Sequence, residues 1–230
     1  MTTGRLHLVF DADDTLWENN VLFERAIDDF IAWVAHPTLD PPAIRRILQD
    51  IEAANAVAHG YGTLVFLRSL HECFERLELR PLDPGDSESI ESFAARLRAG
   101  QVELIPDVER TLEALRERHD LLLLTKGAYD EQRRKIDASG LAGHFRRAVI
   151  VPEKDVDVYR KLVADEGLDP ARTWMIGNSV RSDINPALAA GLGAVYLPNE
   201  STWVLEHAEL DDRGGRLLHL ERFPQLLDHF

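Results

Sequence analysis

Apolar positions change their period several times along the chain. Leu6 to Phe10 is a short, mostly apolar run of strand formers, and Asp11-Ala12-Asp13-Asp14 follows with no spacer. A run of this length closed by charge predicts a buried strand of a parallel sheet. After Trp17 the period becomes helical: Leu22, Phe23, Ala26, Ile27, Phe30, Ile31 and Val34 recur at three- and four-residue steps. Pro37 to Pro42 ends that stripe, and a second helix enters through Asp40-Pro41-Pro42 and carries Ile44, Leu48, Ile51 and Val57. Beyond Gly60-Tyr61-Gly62, Leu64, Leu67, Leu70, Phe74 and Leu77 predict a third helix. Ile90, Phe93, Ala94 and Leu97 predict a fourth that ends at Gly100.

From Ile105 strand and helix alternate. Strands are predicted at Leu121–Leu124, Ala148–Val151, Thr173–Ile176 and Ala194–Leu197, with an edge strand at Leu217–Leu220. Helices fill the intervals, closing at Gly140, Gly167 and Gly191. This rhythm predicts an α/β fold, a doubly wound parallel sheet with an inserted α-helical bundle. The expected division is 1–17 and 101–230 for the sheet domain and 18–100 for the helical insertion.

Composition narrows the function. The 230 residues are 45% hydrophobic and 29% charged, ordinary for a globular protein, and the formal net charge is −14. Such a balance argues against unassisted binding to nucleic acid or an anionic membrane. The single cysteine, Cys73, excludes an internal disulfide and a multi-cysteine metal site, and its apolar neighbours predict an inert core thiol. With no signal peptide or membrane-length apolar run, a cytoplasmic protein is expected.

Candidate chemistry collects where strands end, the place where ligands bind in open α/β sheets. Asp11 and Asp13 follow the first strand; two carboxylates there repel unless a cation or shared proton relieves them. Thr125 ends the second strand, and its hydroxyl suits a phosphoryl oxygen. Lys126 reads either as a rim charge or as a phosphate contact. Lys154 follows the third strand and is a candidate to hold an anion, with Lys161 as a rival inside the next helix. Asn178 and Asp183 follow the fourth strand, in an Asn-Ser turn and in the first turn of the next helix. Taken alone, each also reads as a turn or capping residue.

Taken together, these stretches resemble the haloacid dehalogenase (HAD) superfamily of hydrolases. Asp11-Ala12-Asp13-Asp14-Thr15-Leu16 resembles its first motif, Asp-x-Asp-x-Thr-Leu. Thr125 and Lys154 match the hydroxyl and lysine that follow, and Gly177-Asn178-Ser179-Val180-Arg181-Ser182-Asp183 resembles the fourth, with Asn178 where Asp is commoner. The resemblance implies a HAD-like, Rossmannoid core with a helical cap after the first motif. It also implies a Mg²⁺-dependent phosphatase acting on a small phosphorylated metabolite. Asp11 would be the nucleophile and Asp13 the general acid and base. Thr125, Lys126 and Lys154 would bind phosphate, and Asp11, Asp13 (through its carbonyl), Asn178 and Asp183 the metal. Asn19, Asn20 and Tyr61 are candidates for reading the substrate. A haloacid dehalogenase, a phosphomutase and a phospho-accepting signalling domain remain alternatives, and oligomeric state is open.

Overall fold

The computed structural model describes residues 4–78, 80–98, 102–211 and 216–230. The chain divides into two compact units, one of Met1–Asn20 with Val102–Phe230 and one of Val21–Gln101. The first is built on six strands: β1 (His7–Phe10), β2 (Asp120–Lys126), β3 (Arg147–Val151), β4 (Thr173–Gly177), β5 (Gly193–Tyr196) and β6 (Leu217–His219). Their order is β3-β2-β1-β4-β5-β6, and every neighbouring pair is parallel. This is the doubly wound α/β sheet that the alternation predicts.

β1 is central because Leu8, Val9 and Phe10 are fully buried and can be covered on both faces. Leu8 and Phe10 face one core cluster with Val108, Leu112 and Leu115; Val9 faces another with Tyr159, Met175 and Ala187. Apart from Met175, which lies in β4 beside Val9, these partners come from α6 (Val108–Arg118), α8 (Val156–Glu166) and α9 (Asn185–Ala189). The remaining core helix, α7 (Tyr129–Ala138), adds Ile136 to the first cluster. The chain runs outward from β1 to β2 and β3, then returns to place β4 on the other side of β1. Strand order reverses there, which opens a crevice at the carboxyl ends of β1 and β4.

The second unit is helical: α1 (Asn20–Val34, begun in the first unit), α2 (Pro41–His59), α3 (Thr63–Glu78), α4 (Pro84–Phe93) and α5 (Ala95–Arg98). α2 starts where Asp40 accepts from the Ala43 amide, with Pro41 and Pro42 in the first turn. The expected fourth helix is two helices, because the chain tightens at the buried Ala94, whose N–H reaches back to the Ser92 carbonyl. Its expected end at Gly100 and the boundary at 101 lie outside the described residues. Cys73 is free and fully buried, and burial pushes its thiol up to about 12, as an inert core thiol requires. Among the described residues, no helix is long and apolar enough to cross a membrane.

Glu52, buried on α2, supplies a stability test for this unit. Burial, with Glu24 adding repulsion and Arg45 opposing it, pushes its carboxyl up to about 7. An unfolded Glu ionises at about 4.3. Below that pH both states are protonated and the shift costs nothing. As pH rises towards 7 the unfolded state ionises first, so the folded state loses stability, on the order of 1–3 kcal/mol. Glu52→Gln is therefore expected to raise the urea midpoint over the parent at about pH 8 and to leave it unchanged at about pH 4.

Candidate active site

The end of β1 sets the site. The Asp11 amide donates to the Ile176 carbonyl at 2.9 Å, which carries the β1–β4 pairing one residue past the strands. The chain then turns tightly: the Leu16 amide returns to Ala12 O at 2.8 Å and Asp14 takes a left-handed φ of 61°. Asp tolerates that conformation better than most residues. The Asp14 carboxylate accepts from the Asn20 amide at 3.0 Å and the Asn19 amide at 2.9 Å, where α1 begins. Asp14 is thus a cap for orphan helix amides rather than a third member of the reactive group.

Asp11 lies in a buried charge cluster. Lys154 Nζ donates to Asp11 Oδ1 and, at 2.8 Å, to Asp183 Oδ1. All three residues are buried. Two carboxylates share one ammonium, so with both ionised the cluster carries a net negative charge. Burial and the Asp183 charge push the Asp11 carboxyl up, while Lys154 opposes them. Burial works against the Lys154 ammonium, but Asp11 and Asp183 outweigh it and hold its pKa above the usual lysine value. Lys161, the rival lysine, is exposed on α8 and pairs with Asp165 at 2.9 Å.

Asn178 completes the oxygen-lined side of this cluster. The Thr15 hydroxyl lies 3.0 Å from Asp11 Oδ2 and 3.1 Å from Asn178 Oδ1. A hydroxyl has one proton, so two acceptor oxygens compete for it. The Asn178 amide nitrogen points the other way and donates to Thr202 Oγ1 at 2.9 Å. Asp183 returns towards Lys154 from a π-helical turn, Val180–Ile184, in which the Ile184 amide reaches Ser179 O at 3.1 Å. The sequence pattern predicts an ordinary helix here. The wider turn is a device found at functional sites, and Ser179 N fixes Asp183 Oδ2 at 3.0 Å. Gly177 is required by this approach, because a Cβ there would overlap the Asp183 carboxylate.

Asp13 stands in a separate network. It accepts from Trp17 Nε1 at 2.7 Å, Gln132 Nε2 at 2.8 Å and Lys135 Nζ at 2.9 Å. Burial raises its pKa, but Lys135, Gln132 and Trp17 outweigh it and hold the carboxyl below the usual range. Thr125, buried at the end of β2, donates to Gln132 Oε1 at 3.2 Å, and Lys135 also donates to Asn19 Oδ1 at 2.7 Å. Sequence reasoning missed Gln132 and Lys135. Their three-residue spacing on α7 puts them on one helix face, which is the signal that could have found them.

Lys126 is no solvated rim charge. Its Nζ lies 2.5 Å from Glu206, 3.2 Å from Glu153 and 2.9 Å from the Ser182 hydroxyl, with only 14% of the side chain exposed. Asn20 donates through Nδ2 to Ser201 O at 2.7 Å. Tyr61 lies in the helical unit, between α2 and α3.

A parallel sheet whose switch point carries a carboxylate, a buried lysine and a second carboxylate sets charged groups where open α/β sheets bind their ligands. The family model of haloacid dehalogenase-like hydrolases matches residues 7–191, and the chain belongs to that family. It is 29% identical over 177 residues to the phosphoserine phosphatase of Thermus thermophilus, covering 73% of this chain and 68% of that one. A haloacid dehalogenase-like family hydrolase from Xanthomonas campestris has the same fold, with a TM-score of 0.84 and 29% identity over 99% of this chain and 96% of that chain. A HAD-hydrolase from Bacillus subtilis bound to magnesium superposes with a TM-score of 0.68 at 16% identity, covering 98% of each chain. Dehalogenases also share the fold at lower identity than the Xanthomonas protein. The chain is therefore an enzyme of the HAD hydrolase family, similar in sequence to a phosphatase.

Proposed function

We propose that the chain is a Mg²⁺-dependent phosphatase that hydrolyses a small phosphomonoester through an aspartyl-phosphate on Asp11. The observation that carries this reading is the Asp11–Lys154–Asp183 cluster, a nucleophile-bearing carboxylate paired with a buried ammonium beside an excess of oxygen acceptors.

The residues fit a hard divalent cation. Among the described residues, no group of three or more His, Cys, Asp or Glu could hold a metal, so the donor set is mixed. The carboxylates of Asp11 and Asp183, the amide oxygen of Asn178 and the backbone carbonyl of Asp13 would hold it, all oxygens as Mg²⁺ prefers. When bound, Mg²⁺ supplies positive charge for the phosphoryl oxygens and balances the excess carboxylate.

A carboxylate approaching a phosphate dianion meets repulsion of about 4 kcal/mol per pair of unit charges at ~4 Å and an effective dielectric of about 20. Lys154 opposes that repulsion from inside the cluster, and Thr125 offers a hydroxyl to the phosphoryl group. An Asp11 oxygen bonds to phosphorus, the ester P–O bond breaks, and the leaving oxygen takes a proton from Asp13. Water then attacks phosphorus and gives a proton back to Asp13. The bond to Asp11 breaks, releasing inorganic phosphate. Asp13 as held by Lys135 is in the carboxylate form that suits the second half; it must acquire a proton before the first. Lys126 is already matched by Glu206 and Glu153, so its charge is balanced within the protein before any phosphate arrives.

The test is phosphate release from sugar phosphates, nucleotides and phospho-amino acids, phosphoserine included, with Mg²⁺ and with chelator, beside halide release from 2-haloacids. Chelator-sensitive phosphate release is expected. Halide release that ignores chelator would favour the dehalogenase reading instead.

A further inference from the structure

The segment after β5 has no part in the chemistry above, yet it is fastened to both motif loops. Asn199 Nδ2 donates to the Asp14 carbonyl at 3.1 Å, and Asn20 Nδ2 reaches Ser201 O at 2.7 Å. Glu206 closes the segment on Lys126 at 2.5 Å and on the hydroxyls of Ser179 and Ser182 at 2.5 and 2.6 Å. Between these anchors, Thr202 Oγ1 accepts from Asn178 Nδ2 at 2.9 Å, and the Thr202 amide is tied to Asn199 O at 3.0 Å.

A carboxylate at position 178 would present the same kind of atom whichever way it turned. An amide does not: one end attracts a cation and the other, carrying two N–H groups, repels it. With Asn178 Oδ1 directed to the Thr15 hydroxyl, which also meets Asp11, the NH₂ end needs an acceptor on the far side, and the anchored Thr202 hydroxyl is that acceptor. We infer that Thr202 is a positioning residue that turns the amide oxygen of Asn178 towards the cation, a task created by the Asn at this position. The inference rests on the reading of Asn178 as a metal ligand.

Partners that orient a metal ligand typically contribute ~10–100-fold in metal affinity. Mg²⁺ binding to the intact protein, measured by calorimetry without substrate, is the readout, with the Mg²⁺ half-saturation of aryl phosphate turnover beside it. Thr202→Val is expected to weaken Mg²⁺ binding about 10-fold, and Thr202→Ser to stay within about twofold of the parent. In the Asn178→Asp background the Thr202→Val penalty should vanish, because two equivalent carboxylate oxygens need no orienting. Should the valine variant fail to fold, Thr202→Ala replaces it in both backgrounds. Parent-like Mg²⁺ binding by Thr202→Val, where Asn178→Ala binds more weakly, would overturn the positioning role and leave the metal reading standing. Parent-like binding by Asn178→Ala would overturn the metal reading itself, and the inference with it. An equal Thr202→Val penalty in both backgrounds would show that Thr202 supports the segment and not the amide.

Discussion

Asp11→Asn is expected to lower phosphate release by about 10⁴-fold or more, because the amide cannot attack phosphorus and the other groups act on the same transition state. The fold should survive, and stability should hold or rise. Asp11 and Asp183 share one buried ammonium, so the substitution removes the surplus negative charge and leaves the Lys154–Asp183 pair intact. The paired measurements are turnover and melting temperature. Release within tenfold of the parent, in a contaminant-free preparation, would remove Asp11 from the nucleophilic role.

Lys154→Met should harm both activity and fold. The ammonium is the only cationic partner that Asp11 and Asp183 show among the described residues, and removing one partner of a buried ion pair costs about 3–5 kcal/mol. Turnover should fall about 10²–10³-fold through loss of charge stabilisation at the transferring group. Added Mg²⁺ should restore part of the stability, since it supplies positive charge to the same carboxylates, and should not restore the rate. Urea midpoints with and without Mg²⁺ separate the two effects. A variant with parent-like midpoint and turnover would contradict the place given to Lys154.

Much of this architecture is legible in the sequence because it depends on local pattern. The apolar run before Asp11, the glycine-closed helices and the strand at Thr173 each follow from periodicity and turn residues, and all appear in the structure. The helical succession after Trp17 is equally plain, apart from the break at Ala94. Long-range pairing is not legible in this way. Lys126 and Glu206 lie 80 residues apart, and Lys135 and Asp13 122 apart, so neither pair leaves a local signal. Asp14 reads as one more acid in a cluster until the Asn19 and Asn20 amides are seen to bond it. The π turn before α9 depends on how Asp183 meets Ser179 and Lys154, which no spacing rule encodes.

Trapping the covalent intermediate tests the central claim most directly. The enzyme, mixed with a turning-over phosphate ester and Mg²⁺ and quenched in acid, is digested and its peptides weighed. A phosphoryl group on the peptide that carries Asp11, removed by hydroxylamine as an acyl phosphate would be and missing from Asp11→Asn, is the predicted result. Full turnover with no phosphoryl group on that peptide at any quench time, or with the group on another residue, would contradict it.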